Sequence, residues 1–293
     1  MARVKRHATL EVAGVKRDMG DSRLHADSLT RRDALQKSAR GVACHGQPEK
    51  GDSMNLNADF TARAAVHDAD NPWADSPMPG VQRKKLDRIG AEKARATSIV
   101  RYAPGSHFAA HSHPGGEEFL VLDGVFQDEH GDYPAGTYVR NPPGTAHTPG
   151  AAEGCTILVK LWQFDPADAI QMARDTATGT FAEAPQCPGV AVQRLYHDAR
   201  EDVRLETWAP GTRIADTWAG GGEIFVLDGG FEEGGETFAP WDWLRLPPGA
   251  RLDAVAGPEG ARVWIKSGHL ADMPGNDGPG NDGPGRDVPG RGV

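Results

Sequence analysis

The feature that most constrains the fold of this 293-residue chain is that its middle part repeats itself. The segment Phe119–Gly124 (FLVLDG) recurs 105 positions later as Ile224–Gly229 (IFVLDG), and Arg140–Gly144 (RNPPG) recurs as Arg245–Gly249 (RLPPG). A repeat at a fixed spacing indicates a duplicated structural unit. Three further pairs have nearly the same spacing: Ala103–Gly105 with Ala209–Gly211, Leu158–Lys160 with Trp264–Lys266, and Pro79–Val81 with Pro188–Val190. We therefore expect two related modules in tandem.

Each module is predicted to be all-β. Short runs of alternating or wholly apolar residues are separated by Gly, Pro and Asp, which favours strands joined by turns in a sandwich or barrel. The only helix-like run in the repeated part is Ala167–Arg174, which follows Asp165 and Pro166. In the first module the predicted strands are Thr97–Tyr102, Glu118–Leu122, Thr137–Asn141 and Thr156–Leu161.

Composition sets the domain boundaries. The first 53 residues have few large apolar side chains and no sustained periodicity, and the last 23 repeat Gly, Pro, Asn and Asp, so both tails are predicted to be disordered. Translation from Met1 and translation from Met54 are both compatible with this pattern. The predicted order is a disordered extension (1–53), a lead-in (54–78), the first module (79–165), a linker (166–187), the second module (188–270) and a disordered tail (271–293).

Charge and cysteine content exclude several classes of function. The formal net charge of −9 argues against nucleic acid as a partner, because phosphate binding needs a basic surface. No apolar run is long enough to cross a membrane. The cysteines Cys44, Cys155 and Cys187 are odd in number and lack CxxC spacing, which favours a reducing cytoplasm. The expected partner is a small molecule, and a homo-oligomer is compatible with the sequence.

Four residues of the first module have the spacing of a metal site. His111 and His113 are two apart, so on a strand both side chains leave the same face, and the turn that follows returns Glu117 toward them. The Pro-Pro-Gly turn at 142–144 then delivers His147. Three imidazoles and one carboxylate suit Zn, Fe(II), Mn, Ni or Cu better than Ca or Mg.

These spacings, G-x5-H-x-H-x3-E-x6-G from Gly105 and G-x5-P-x-G-x2-H from Gly136, resemble the two motifs of the cupin superfamily. The sequence around them is similar to the ChrR-like cupins, strongly from 79 to 164 and weakly from 188 to 270. The resemblance implies two cupin jelly-roll barrels, with one divalent transition metal per chain. Zn or Fe(II) is favoured, and Mn or Ni is compatible. The implied ligands are His111, His113, Glu117 and His147.

The resemblance leaves two functions open. ChrR-like cupins include the cupin half of zinc anti-sigma factors, which implies a zinc-binding sensing or regulatory module. They also include proteins similar to diketone-cleaving dioxygenases, which implies a non-haem metalloenzyme. Two departures matter: Ala151 replaces an Asn that often ends the second motif, and no HxxxCxxC segment accompanies the solitary Cys44, so a sigma factor is not an expected partner. No catalytic residue beyond the four ligands is identified.

The second module is predicted to have lost the metal. Alignment on Ala209–Gly211 places Thr217 and Ala219 at the first two His positions and leaves Glu223 as the one retained ligand. Leu252 replaces the third His. Arg140 and Lys160 have counterparts in this module, Arg245 and Lys266, so they are predicted to be scaffold residues that are solvated or paired at the surface. The tryptophans Trp208, Trp218, Trp241, Trp243 and Trp264 are expected to fill the second barrel or to line a ligand pocket.

Overall fold

A computed structural model describes residues 55–90 and 94–271. The described chain consists of strands and turns, and its one helical element is the 3-10 turn Asp68–Asp70, which confirms the all-β prediction. The two tails predicted to be disordered lie outside the described residues, apart from Ala271. No helix within the two described ranges is long and apolar enough to cross a lipid bilayer.

The first half of the fold contains twelve strands. Most are short, and several end at or directly before Gly, Pro or Asp, which favour turns. They are β1 (Ala64–Val66), β2 (Ala74–Asp75), β3 (Val81–Ile89), β4 (Arg95–Tyr102), β5 (Ser106–His107), β6 (His111–His113), β7 (Glu117–Asp128), β8 (Gly131–Pro134), β9 (Thr137–Asn141), β10 (Thr145–His147), β11 (Gly150–Ala151) and β12 (Cys155–Leu161).

The second half contains nine strands, of which the last is long enough to pair with three others. They are β13 (Met172–Asp175), β14 (Ala182–Glu183), β15 (Val190–His197), β16 (Asp202–Trp208), β17 (Arg213–Trp218), β18 (Gly222–Glu233), β19 (Glu236–Phe238), β20 (Trp243–Leu246) and β21 (Ala250–Ser267).

The predicted helix at 167–174 is wrong. Asp165 accepts a hydrogen bond from the backbone N–H of Ala167 at 2.8 Å, and Asp168 accepts one from that of Ile170 at 2.8 Å. Such side-chain turns compete with helical hydrogen bonding. The chain then extends into β13, whose Met172 pairs with Arg140 of β9.

The two main sheets exchange one strand each. The first sheet runs β13-β9-β7-β12-β4-β3-β2, and the second runs β1-β20-β18-β21-β16-β15-β14. Strand β1, which precedes the first module, therefore extends the sheet of the second. Strand β13, which precedes the second module, extends the sheet of the first. The modules are jelly rolls related by this reciprocal exchange, although neither hydrogen-bonded sheet closes into a ring.

Three apolar cores result from the alternation of side chains along the strands. One lies inside each module, and a third lies between them. On β7, Phe119 and Val121 face the first module's interior, whereas Leu120 faces the second module. Phe225, the counterpart of Leu120 at a spacing of 105, faces back from β18. The two sheets thus pack face to face through equivalent positions.

Arg140 and Lys160 lie in this shared interface, so their predicted surface location is wrong. Each side chain is 1% exposed, because the second module covers the sheet that carries them. A charge buried so deeply needs a partner of opposite charge. Arg140 contacts Glu201 and Asp168, each at 2.5 Å, and Lys160 Nζ lies 2.6 Å from Glu223. Their expected scaffold role agrees with these contacts.

Candidate metal centre

Two short antiparallel strands position the three histidines. β6 pairs with β10 so that His111 lies opposite His147 and His113 lies opposite Thr145. Since His111 and His113 are two residues apart, both rings leave the same face of β6, and His147 joins them from the neighbouring strand. The three ring centroids are 4.8 to 5.1 Å apart.

Glu117 reaches the histidines because the chain reverses tightly before β7. Gly116 has a φ of 75°, which favours glycine, and a Cβ added at Gly115 would lie 2.3 Å from the ring of Trp162. After this turn the Glu117 carboxylate lies 3.6 Å from His113 Nε2 and 3.7 Å from His147 Nε2. The structure therefore places Glu117 beside His113 and His147, two of the three clustered histidines.

The donor atoms fit one transition-metal ion. One nitrogen from each histidine lies within 4.8 Å of the others, and the Nε2 atoms of His113 and His147 are 3.0 Å apart. Two ligands about 2.1 Å from one ion at a tetrahedral angle lie about 3.4 Å apart. The separations among His113, His147 and the Glu117 carboxylate, 3.0 to 3.7 Å, are close to this value. A set of three imidazoles and a carboxylate suits Zn or Fe(II) chemically.

Neighbouring oxygens orient two of the rings. His111 Nδ1 lies 3.0 Å from the carbonyl of Ala109, and His147 Nδ1 lies 3.4 Å from Asp128 Oδ2. An Nδ1–H that donates to oxygen leaves the Nε2 lone pair free for a metal. Asp128 itself accepts a hydrogen bond from the Tyr133 hydroxyl at 3.2 Å. Asp128 was not among the sequence-predicted site residues, although it lies within the stretch that resembles the ChrR-like cupins.

Burial favours the neutral form of two of the three histidines. Burial, assisted by the nearby His111 ring, lowers the pKa of His113 to about 4. Burial also lowers the pKa of His147 and raises that of Glu117, which His147 opposes. Both buried imidazoles are therefore in the neutral form that binds a metal.

A small cavity of about 110 Å³ adjoins the ligands. His113 and His147 form part of its wall, next to the polar groups of Tyr133, Asn141 and Thr145. Gln171 and Met172, which precede the second module, close another side. A small molecule in this cavity would lie directly beside two of the four ligands.

In the second module the register differs from the predicted alignment. Thr145 pairs with His113 and its counterpart Ala250 pairs with Trp218, so Trp218 replaces His113, and by the same pairing Asp216 replaces His111. Thr217 and Ala219 are not the counterparts, because the second module has one residue fewer between its Ala-Pro-Gly turn and this strand. A one-residue slip moves a side chain to the other face of a strand.

Glu223 is likewise not the counterpart of Glu117. Glu117 pairs with Asn141 and Gly222 pairs with Leu246, which makes Gly222 the equivalent position. Glu223 corresponds to Glu118 and faces the interface between the modules. All four ligand positions thus differ in the second module: Asp216, Trp218, Gly222 and Leu252.

Comparison with known proteins identifies the first module. Residues 61–165 match the family described as the ChrR Cupin-like domain. The matched part of the chain, residues 61–165, belongs to the cupin superfamily. The matched range begins in the lead-in before β1 and ends after β12, so it contains all four residues of the candidate metal centre. No curated protein matches this chain in sequence.

Several solved structures are similar to this chain in fold at low sequence identity. A Nostoc punctiforme PCC 73102 protein to which dioxygenase activity has been ascribed is 16% identical, with a TM-score of 0.59 over 73% of this chain and 85% of its own. A Pseudomonas aeruginosa protein ascribed to the glyoxylate-induced proteins is 15% identical, with a TM-score of 0.57 over 77% and 94%. The oxalate decarboxylase of Lactobacillus farciminis is 11% identical, with a TM-score of 0.51 over 70% and 86%. At these identities the likeness concerns the fold.

Proposed function

We propose that the first cupin module is a mononuclear metalloenzyme centre that acts on a small molecule. His111, His113, Glu117 and His147 would hold one divalent transition metal, with Fe(II) or Zn preferred by this donor set. The observation that carries the proposal is the cavity beside His113 and His147, which gives a small molecule access to the ion. A metal with an open position can orient and polarise such a substrate.

The reaction class that we propose is a metal-dependent dioxygenation of a small diketone-like compound. A bound metal would supply a Lewis acid for the carbonyl oxygens of such a substrate, and Tyr133, Asn141 and Thr145 offer hydrogen bonds from the cavity wall. A cavity of about 110 Å³ suits a small substrate. The dioxygenase activity ascribed to the Nostoc protein agrees with this class, although the likeness to it is one of fold.

A zinc-binding sensing or regulatory module is the second candidate. Four protein ligands are enough to complete a tetrahedral zinc shell, and a closed shell is typical of structural zinc sites. Three of the four ligands, His113, Glu117 and His147, are at most 7% exposed, which favours a site that retains its ion. The match to the ChrR Cupin-like domain supports this candidate as well.

Metal analysis and X-ray absorption on the full-length protein separate the two candidates. Protein purified without added metal is analysed for bound ions, and its oxygen uptake is measured with acetylacetone, with His147→Ala as the control. An open coordination shell that the diketone alters, together with oxygen uptake that His147→Ala abolishes, supports the enzyme. A four-coordinate zinc shell that no small molecule perturbs contradicts the enzyme and favours the sensor.

A further inference from the structure

Two buried ion pairs connect the modules, and each module supplies the lysine of one pair and the glutamate of the other. Lys266 of the second module contacts Glu118 of the first, and Lys160 of the first contacts Glu223 of the second at 2.6 Å. All four side chains are at most 1% exposed. The strand register makes these pairs equivalent, since Glu118 pairs with Lys160 and Glu223 pairs with Lys266 in their own sheets.

The equivalence ends one residue earlier in each strand. In the first module the residue before Glu118 is Glu117, a proposed metal ligand, whereas in the second module the residue before Glu223 is Gly222. Successive side chains of a strand point to opposite faces. When Glu118 is held toward the second module, Glu117 is therefore held toward the three histidines.

The Glu118 carboxylate is fixed by several contacts. Besides Lys266, it accepts a hydrogen bond from the Tyr138 hydroxyl at 2.7 Å and lies 3.7 Å from Arg140. Lys266 is in turn held by Glu201 at 2.8 Å. A strand end anchored through so many buried charged groups has little freedom to rotate or shift.

The neighbouring strand β9 is anchored in the same way. Asn141 donates to the Glu117 carboxylate at 3.4 Å, and Arg140 next to it binds Asp168 and Glu201 outside the first module. Gln171 of the linker donates to Asn141 at 3.3 Å. Both strands that face the candidate metal centre are thus held from the linker and the second module.

We propose that Lys266 is a positioning residue for the metal centre. By holding Glu118, it orients the Glu117 carboxylate of the first module from the second module. The inference rests on the proposed metal site. A module without its own metal ligands would thereby contribute to metal affinity in the other module. Removal of a group that orients a metal ligand typically lowers the metal affinity 10- to 100-fold.

The two equivalent glutamates provide a matched test. The full-length wild type, Glu118→Gln and Glu223→Gln are titrated with Zn²⁺ in competition with a chelator, and the visible spectrum of each is recorded with Co²⁺. Each variant loses one buried interface charge, so their stabilities should fall alike. We expect Glu118→Gln to lower Zn²⁺ affinity at least about 10-fold and to alter the Co²⁺ spectrum. Glu223→Gln should keep wild-type affinity and spectrum.

Either of two outcomes overturns the inference: unchanged Zn²⁺ affinity in Glu118→Gln, or equal losses in both variants, which would reflect general destabilisation. If the wild type itself binds no metal, the proposed metal site fails and this inference fails with it. If Glu118→Gln does not fold, the double variant Glu118→Gln/Lys266→Met removes both charges and leaves neither unpaired. The same 10-fold loss is expected of it, and wild-type affinity would overturn the inference.

Discussion

Trp218 packs directly over Gly222 in the second module, so closely that a Cβ added to the glycine would lie 2.6 Å from the indole ring. These positions are those of His113 and Glu117 in the first module. The indole therefore occupies the space that a metal and its carboxylate ligand would need. The two replacements depend on each other. Gly222 without the large ring would leave a cavity, and Trp218 beside a larger residue at position 222 would collide with it.

The first prediction concerns stoichiometry. We expect about one metal ion per chain by elemental analysis, because none of the four equivalent positions in the second module offers an imidazole. His147→Ala should abolish tight binding, whereas Leu252→Ala at the equivalent position should leave it unchanged. Two ions per chain, or a loss of metal in Leu252→Ala, would contradict the asymmetry between the modules.

The second prediction tests the orientation of His147. Asp128→Asn keeps the shape of the side chain but removes the charge that faces His147 Nδ1, so Zn²⁺ affinity should fall about 10-fold. Asp132→Asn is the matched control, because Asp132 bonds to Gln127 at an exposed position. Chelator competition measures both. Equal affinities in the two variants would show that Asp128 has no part in the site.

Several strands of the first module and the proximity of its histidines were predictable from the sequence, because both depend on short spacings. The predicted strand Thr137–Asn141 coincides with β9, and Thr97–Tyr102 lies within β4. The convergence of His111, His113 and Glu117 follows from the two-residue period of a strand and one tight turn. His147 was placed by the Pro-Pro-Gly turn that precedes it.

The contacts between distant segments were not predictable in this way. Nothing local to β1 or β13 indicates that each strand joins the other module's sheet. The burial of Arg140 follows from that exchange and from the packing of one module on the other, so residue type alone suggested a surface position. The misplaced counterparts Thr217 and Ala219 arose from a single residue of loop length, which the sequence repeat does not locate.

The third prediction follows from the core that the modules share. Leu120→Ala and Phe225→Ala, which face each other's module, should each destabilise the protein by about 2–5 kcal/mol, as core truncations do. Because the shared core joins both modules, each variant should shift one common unfolding transition. Calorimetry and chemical denaturation measure this. Two separate transitions, of which each variant moves only one, would show that the modules fold independently.

The last prediction concerns pH and the lead-in to the first module. His67 Nδ1 lies 2.9 Å from Asp242, and Nε2 lies 3.0 Å from Glu236, both in the second module. The hydrogen bond to Asp242, and then that to Glu236, raise the pKa of His67 above its ordinary value of 6.5. A group whose pKa is raised on folding stabilises the folded state fully when the pH is below its pKa in the unfolded state. This contribution disappears as the pH rises through its pKa in the folded state.

His67→Gln should therefore be less stable than the wild type at pH 5.5 and nearly equal to it at pH 9. The difference at pH 5.5 should be at most about 1 kcal/mol, since partly exposed ion pairs contribute little. Urea denaturation of both proteins at the two pH values measures it. A stability difference that is the same at both pH values would show that the imidazole contributes through packing on Phe238, whose ring centroid is 5.2 Å away, and that its charge has no effect.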